Sequence, residues 1–154
     1  MTIAAMLAVV LAAITQTAMP TNVTLGAAGN LDLQQTKCLT DIIYHEARGE
    51  PAQGQRYVAD VVLNRVANSK HPTTICKIAS ARGQFAGYQH RAHAHEPPAY
   101  SRAAALAVQA QQSRPTTSAM FFYDPAGGRP AWARGQPSLR VGRHVFVVAN
   151  FPIR

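Results

Sequence analysis

The stretch most able to do chemistry is Tyr44-His45-Glu46-Ala47-Arg48-Gly49-Glu50. A histidine directly before a glutamate is how a zinc-protease helix begins, but that motif needs a second histidine three residues after the glutamate. Gly49 stands there instead, so Glu46 must be explained without a metal beside it. Leu39, Ile42 and Ile43 recur at i, i+3 and i+4, which predicts a helix over 34–48 that Gly49 and Pro51 stop. Glu46, seven residues after Leu39 and three after Ile43, falls on the apolar face. A carboxyl there is either paired by a cation or kept partly protonated. Burial and the negative end of the helix dipole both favour the protonated form. Such an acid can protonate a glycosidic oxygen, a poor leaving group until it receives a proton. A buried ion pair of Glu46 with Arg48 or Arg65 fits the same pattern.

Other candidates are weaker. Glu50 follows the helix stop and reads as a second carboxylate, a cap or a structural ion-pair partner. Asp60, Glu96 and Asp124 have no spacing that couples them to Glu46. His90, His93 and His95 cluster with Glu96, and a His-x-His pair can hold zinc. No compact zinc spacing is present, so a solvated loop is the expectation and no metal or other cofactor is assigned. A zinc-dependent hydrolase built on those histidines remains an alternative. There is no G-x-S-x-G elbow for a nucleophilic serine.

These residues sit in a simple order of elements. Residues 54–67 predict a second helix with Val58, Val61, Val62 and Val66 inward and Tyr57, Asn64 and Arg65 as its notable polar members. A turn at Pro72 precedes a short element at 75–80 that fits helix or strand equally. Residues 81–100 read as a long irregular loop of the kind that forms binding surfaces. Residues 101–112 predict a third helix by propensity, 119–124 a strand, 125–138 a turn-rich loop around Trp132, and 140–151 a closing strand. Helices first and a small sheet late predict an α+β fold, mainly helical.

The 154 residues suit one domain with a real core. The formal charge of +8 favours anionic partners: nucleic acid, anionic lipid or a bacterial wall. No nucleic-acid-binding motif accompanies the charge. Residues 1–31 carry no charged side chain. An apolar run at 1–19 reads as a signal peptide or a releasable signal anchor with transient membrane association. Residues 20–33 read as a linker and 34–154 as the domain, beginning close to Asp32. Export would place Cys38 and Cys76 in an oxidising compartment, where an isolated pair reads as one disulfide. Closing a loop of that length stabilises by roughly 3–4 kcal/mol in the chain-entropy model.

The blocks CLTDIIYHEARGEPAQGQRYVADVVLNRV, HPTTICKI, GQF, FFYDP, PAW and VGRHVF stand in the order expected of the SleB/CwlJ-type cell wall hydrolases, which the chain resembles over about residues 36–148. The resemblance implies a lysozyme-like fold and cleavage of the MurNAc–GlcNAc β-1,4 bond of peptidoglycan, as a lytic transglycosylase or muramidase. A phage endolysin or a bacterial remodelling enzyme would fit. It carries the family's catalytic glutamate onto Glu46, the residue that the helical periodicity also singles out. It further implies substrate-binding roles for Tyr44, Glu50, Asn64, Gln84, Phe85, Trp132 and His144. The implied enzyme needs no metal and acts on peptidoglycan glycan strands; a monomer with no nucleic-acid partner is the further expectation. Ala86 and Val147 depart from the family pattern, which prefers Ser after GQF and an aromatic after HVF. A non-catalytic module that binds cell wall or polyanions on the same fold is the alternative from another class.

Overall fold

The computed structural model describes residues 31–85, 88 and 96–149. Among these residues, four helices, α1 (Leu33–Ala47), α2 (Ala52–Ala67), α3 (Ile75–Ser80) and α4 (Pro97–Gln111), precede three short strands, β1 (Phe121–Tyr123), β2 (Ser138–Val141) and β3 (His144–Val147). The expected mainly helical α+β architecture with a late sheet is therefore what the chain adopts.

Asp32 starts α1 by accepting hydrogen bonds from the amides of Gln34 (2.8 Å) and Gln35 (3.2 Å). The inward stripe of α1, Leu39, Ile42 and Ile43, is wholly buried, as are Val58, Val61 and Val62 of α2. Val66 is only partly buried at the margin of that core. Thr74 caps α3, whose Ile75 and Ile78 are buried, so 75–80 is helix and not strand. α4 packs chiefly on α1 through Ala99, Ala103, Ala107 and Ala110, small residues that let the two backbones approach closely. It begins four residues earlier than the sequence suggests. Pro97 and Pro98 occupy its first turn, where a missing amide proton costs nothing, so Pro97–Tyr100 belongs to the helix and not to the preceding loop. A disulfide between Cys38 and Cys76 ties α1 to α3.

The sheet is antiparallel in the order β1-β3-β2. The predicted single closing strand over 140–151 is instead a hairpin. Gly142 has φ +59°, and with Arg143 it turns the chain so that Val141 pairs with His144. Left-handed backbone at a glycine reverses a strand that its apolar pattern would have continued. Between β1 and β2, Pro125–Gly127 and Ala131–Ala133 form single 3₁₀ turns.

A buried charge cluster fastens the chain between α4 and β1 onto α2. Asp60, with no solvent exposure, accepts from Arg56 Nε (2.7 Å), the Thr116 amide (2.7 Å) and Thr116 Oγ1 (2.6 Å). Arg56 also donates to Ser113 Oγ and the Arg114 carbonyl. Among the described residues no helix is long and apolar enough to cross a membrane. The apolar run at 1–19 and most of the linker lie outside the described residues.

Candidate active site

Glu46 occupies the last turn of α1, half-buried, one and two turns beyond the fully buried Ile42, Ile43 and Leu39. Two sets of contacts hold this helix end. On one side is the start of α4. The Tyr44 hydroxyl accepts from the Glu96 amide (3.2 Å), and Arg48 pairs with the Glu96 carboxylate (3.1 Å). Tyr100 donates to Asp41 (2.7 Å), and its ring meets that of Tyr44 edge-on with centroids 5.5 Å apart. Burial, together with the bond to Asp41, pushes the Tyr100 hydroxyl up to about 12. Asp41 also takes Lys37 as its ion-pair partner.

On the other side is the hairpin. The Glu50 side chain is 1% exposed, and Arg143 reaches it twice: its amide donates to Oε2 (2.9 Å) and its Nε to Oε1 (2.9 Å). Burial pulls the Glu50 carboxyl upward, but the side-chain and backbone bonds from Arg143 outweigh it and hold it below the usual carboxylate range. A Cβ on Gly142 would overlap Glu50 Oε2, so the turn fits this carboxylate only as glycine. Gly54 in the first turn of α2 similarly leaves room for the stem of Glu50 and for Val141.

His144 follows Arg143 and is buried beside the rings of Phe122 (5.0 Å) and Phe146 (6.0 Å). Its Nδ1 has no hydrogen-bond partner among the described residues, and burial lowers its pKa against the pull of the Glu50 carboxylate. Tyr57 of α2 closes the same aromatic group against Phe146 (5.2 Å).

The remaining residues singled out from the sequence divide between this region and the framework. Asn64 donates to the Thr117 and Ala119 carbonyls, stitching α2 to the approach of β1. Gln84 accepts from Arg65 Nη1 (3.3 Å), and Phe85 is core. Trp132 is 38% exposed, with Phe121 and Tyr123 against its ring. The loop histidines His90, His93 and His95 lie outside the described residues. No group of three or more His, Cys, Asp or Glu side chains that could hold a metal ion occurs among the described ones.

Arg65 does not pair with a carboxylate among the described residues. It is buried between Phe85 and Phe121, donates to the Met120 carbonyl (2.6 Å), and burial lowers its pKa to about 10. Arg143 and His71 escaped the sequence reading. Gly142 before Arg143 was the one local clue, whereas His71, buried with both ring nitrogens unpartnered among the described residues, had none.

A family model described as Cell Wall Hydrolase matches residues 49–147, beginning just after Glu46. The spore cortex-lytic enzyme of Bacillus subtilis is 28% identical over 120 residues, 77% of this chain and 39% of that protein. The spore cortex-lytic enzyme of Bacillus cereus is 30% identical over 128 residues, 82% of this chain and 47% of that protein. The chain thus spans less than half the length of either relative. Among solved structures, the catalytic domain of the Bacillus cereus SleB protein superimposes with a TM-score of 0.62 at 25% identity, covering 75% of this chain and 91% of that one. The catalytic domain of the germination-specific lytic transglycosylase SleB from Bacillus anthracis gives the same score and identity, over 77% of this chain and 98% of that one.

Proposed function

Because the chain belongs to the Cell Wall Hydrolase family, we propose that it cleaves the glycan strand of peptidoglycan at the MurNAc–GlcNAc β-1,4 bond, with Glu46 as general acid and then base. The observation that carries the reading is the place of Glu46, half-buried in the last turn of α1 on the face of the buried Leu39, Ile42 and Ile43; the other carboxylates have other uses. The chain has seven acidic residues. Asp32 caps α1, Asp41 holds Lys37 and Tyr100, and Glu50 holds Arg143. Asp60 clasps Arg56 and Thr116, Glu96 pairs with Arg48, and Asp124 caps a 3₁₀ turn by accepting from the Ala126 amide. All six have framework roles, so no second carboxylate is assigned to the reaction and Glu46 serves as both acid and base.

In that mechanism protonated Glu46 donates to the glycosidic oxygen. The C1–O bond breaks, and its electron pair leaves on the GlcNAc oxygen. The Glu46 carboxylate then takes the proton from the muramic 6-hydroxyl as that oxygen bonds to C1. No water is consumed, and the product is a 1,6-anhydro end. Without a second carboxylate to seat and activate water, the internal hydroxyl is the better nucleophile, because it is already held near C1. The likeness to the germination-specific lytic transglycosylase SleB of Bacillus anthracis supports this choice.

The disulfide supports action outside the cytoplasm, since such bonds persist in oxidising compartments. Mass spectrometry of muropeptides released from purified sacculi tests the reading. The expected products lack one water relative to hydrolysed ones, and Glu46→Gln releases none. Ordinary reducing ends would instead indicate a muramidase. Binding of sacculi without release, equal in wild type and Glu46→Gln, would indicate a non-catalytic module.

A further inference from the structure

Beyond Asp124 the chain has no acidic residue, yet it has arginines at 129, 134, 140, 143 and 154. Arg143 is committed to Glu50. Arg129, Arg134 and Arg140 are exposed and pair with no carboxylate among the described residues, whereas Lys37, Arg48 and Arg56 each have one. Arg129 Nη2 donates to the Ala133 carbonyl (2.9 Å), and Arg140 Nε donates to the Gly142 carbonyl (3.3 Å). These bonds orient two guanidinium groups without neutralising them. A guanidinium has five N–H donors, so each keeps donors for an outside acceptor.

The arginines surround an aromatic surface. The bond from Arg129 lands on the 3₁₀ turn that carries Trp132, and Arg134 directly follows that turn. The Trp132 ring meets Tyr123 edge-on at 5.8 Å. Tyr123, Val145 and Arg140 are lateral neighbours across β1, β3 and β2, which places Arg140 in the same row as Tyr123. A part-exposed indole flanked by unneutralised guanidiniums suits a sugar ring flanked by carboxylates: the ring stacks on the indole face, and each guanidinium takes a carboxylate by paired hydrogen bonds.

We propose that Arg129, Arg134 and Arg140 around Trp132 form a docking surface for the stem-peptide carboxylates of peptidoglycan strands, using residues other than those that cleave. This rests on the reading of peptidoglycan as substrate and gives the +8 charge a location and a partner. A strand repeats its carboxylates at every muramic unit, so several weak contacts sum along one polymer.

The test is co-sedimentation of the full chain, on ice, with sacculi free of phosphate-bearing wall polymers. R129Q/R134Q/R140Q is expected to lose about tenfold or more in affinity, and most of the salt dependence, because exposed charge pairs are screened by salt. R82Q/R102Q/R114Q removes the same charge from exposed positions elsewhere and should bind as wild type does. Sacculi stripped of stem peptides by an amidase should hold wild type as weakly as intact sacculi hold the first variant. Binding unchanged in the first variant, an equal loss in the second, or undiminished binding to stripped strands would each overturn the proposal. The Arg134 side chain makes no bond within the described structure, so Arg134→Gln tests the surface even if the triple variant fails to fold; a smaller loss in the same direction is expected, and no loss counts against it. Muropeptide release, measured in parallel, separates the two readings. Release with unchanged binding in both R129Q/R134Q/R140Q and Arg134→Gln removes the docking surface alone. Binding that follows the arginines without release removes the cleavage alone.

Discussion

The last turn of α1 and the turn that follows it each present a glutamate, and the two differ in burial. Glu50 is sealed from solvent and takes both an amide and a guanidinium from a residue 93 positions away. Its negative charge is stabilised by fixed donors, so it has little chemistry left to offer. Glu46, one turn earlier, is half-buried at the end of a fully buried stripe. Asp60 extends the Glu50 case, with three donors and no exposure. Burial and several fixed donors thus hold Glu50 and Asp60 as structural carboxylates, and Glu46, the one proposed to act on substrate, is less deeply buried than either.

The contrast can be broken most directly at Glu46. Glu46→Gln should lower the rate of muropeptide release by roughly 10²–10⁴-fold, the usual worth of a general acid, while the melting temperature stays close to that of wild type. A fully active variant would move Glu46 into the structural class. Asp60→Asn should do the reverse. Breaking a buried ion pair from one side costs about 3–5 kcal/mol, so urea unfolding should show a large loss of stability, with activity per folded molecule retained.

Glu50→Gln sharpens the comparison through pH. The folded carboxyl titrates below its unfolded value, so its contribution is present above the unfolded pKa and fades as pH falls through the folded one. Melting curves of wild type and Glu50→Gln should therefore differ at neutral pH and converge in strong acid. The smallest effect concerns a buried base. His71 is buried against Phe121 with no partner for either nitrogen among the described residues, and burial, aided by Arg65 and Lys70, lowers its pKa. Its neutral form is the one that folds, so stability declines as pH drops below the unfolded histidine value. His71→Phe should stabilise by about 1–3 kcal/mol by removing the unsatisfied donor, with a larger gain near pH 5 than near pH 8 in the same unfolding assay.

Local signals made much of this molecule legible. The helix over Leu33–Ala47, its stop at Gly49 and Pro51 and the valine stripe of α2 all follow from short-range periodicity and punctuation. The cysteine pair followed from the count together with the expected export. Punctuation failed where proline and glycine act by position: Pro97 and Pro98 open a helix, and Gly142 folds one predicted strand into two.

What the sequence determined by itself, then, was the helical frame, the disulfide and the placing of Glu46 on an inward face, because each depends on residues a few positions apart or on composition. Only the tertiary structure decided that Glu50 belongs to Arg143, that Asp60 belongs to Arg56 and Thr116, and that Arg129 and Arg140 keep unneutralised charge around Trp132. The role of a charged side chain is set by the dielectric and the donors around it. Those arrive from segments tens of residues away, and no local pattern records them.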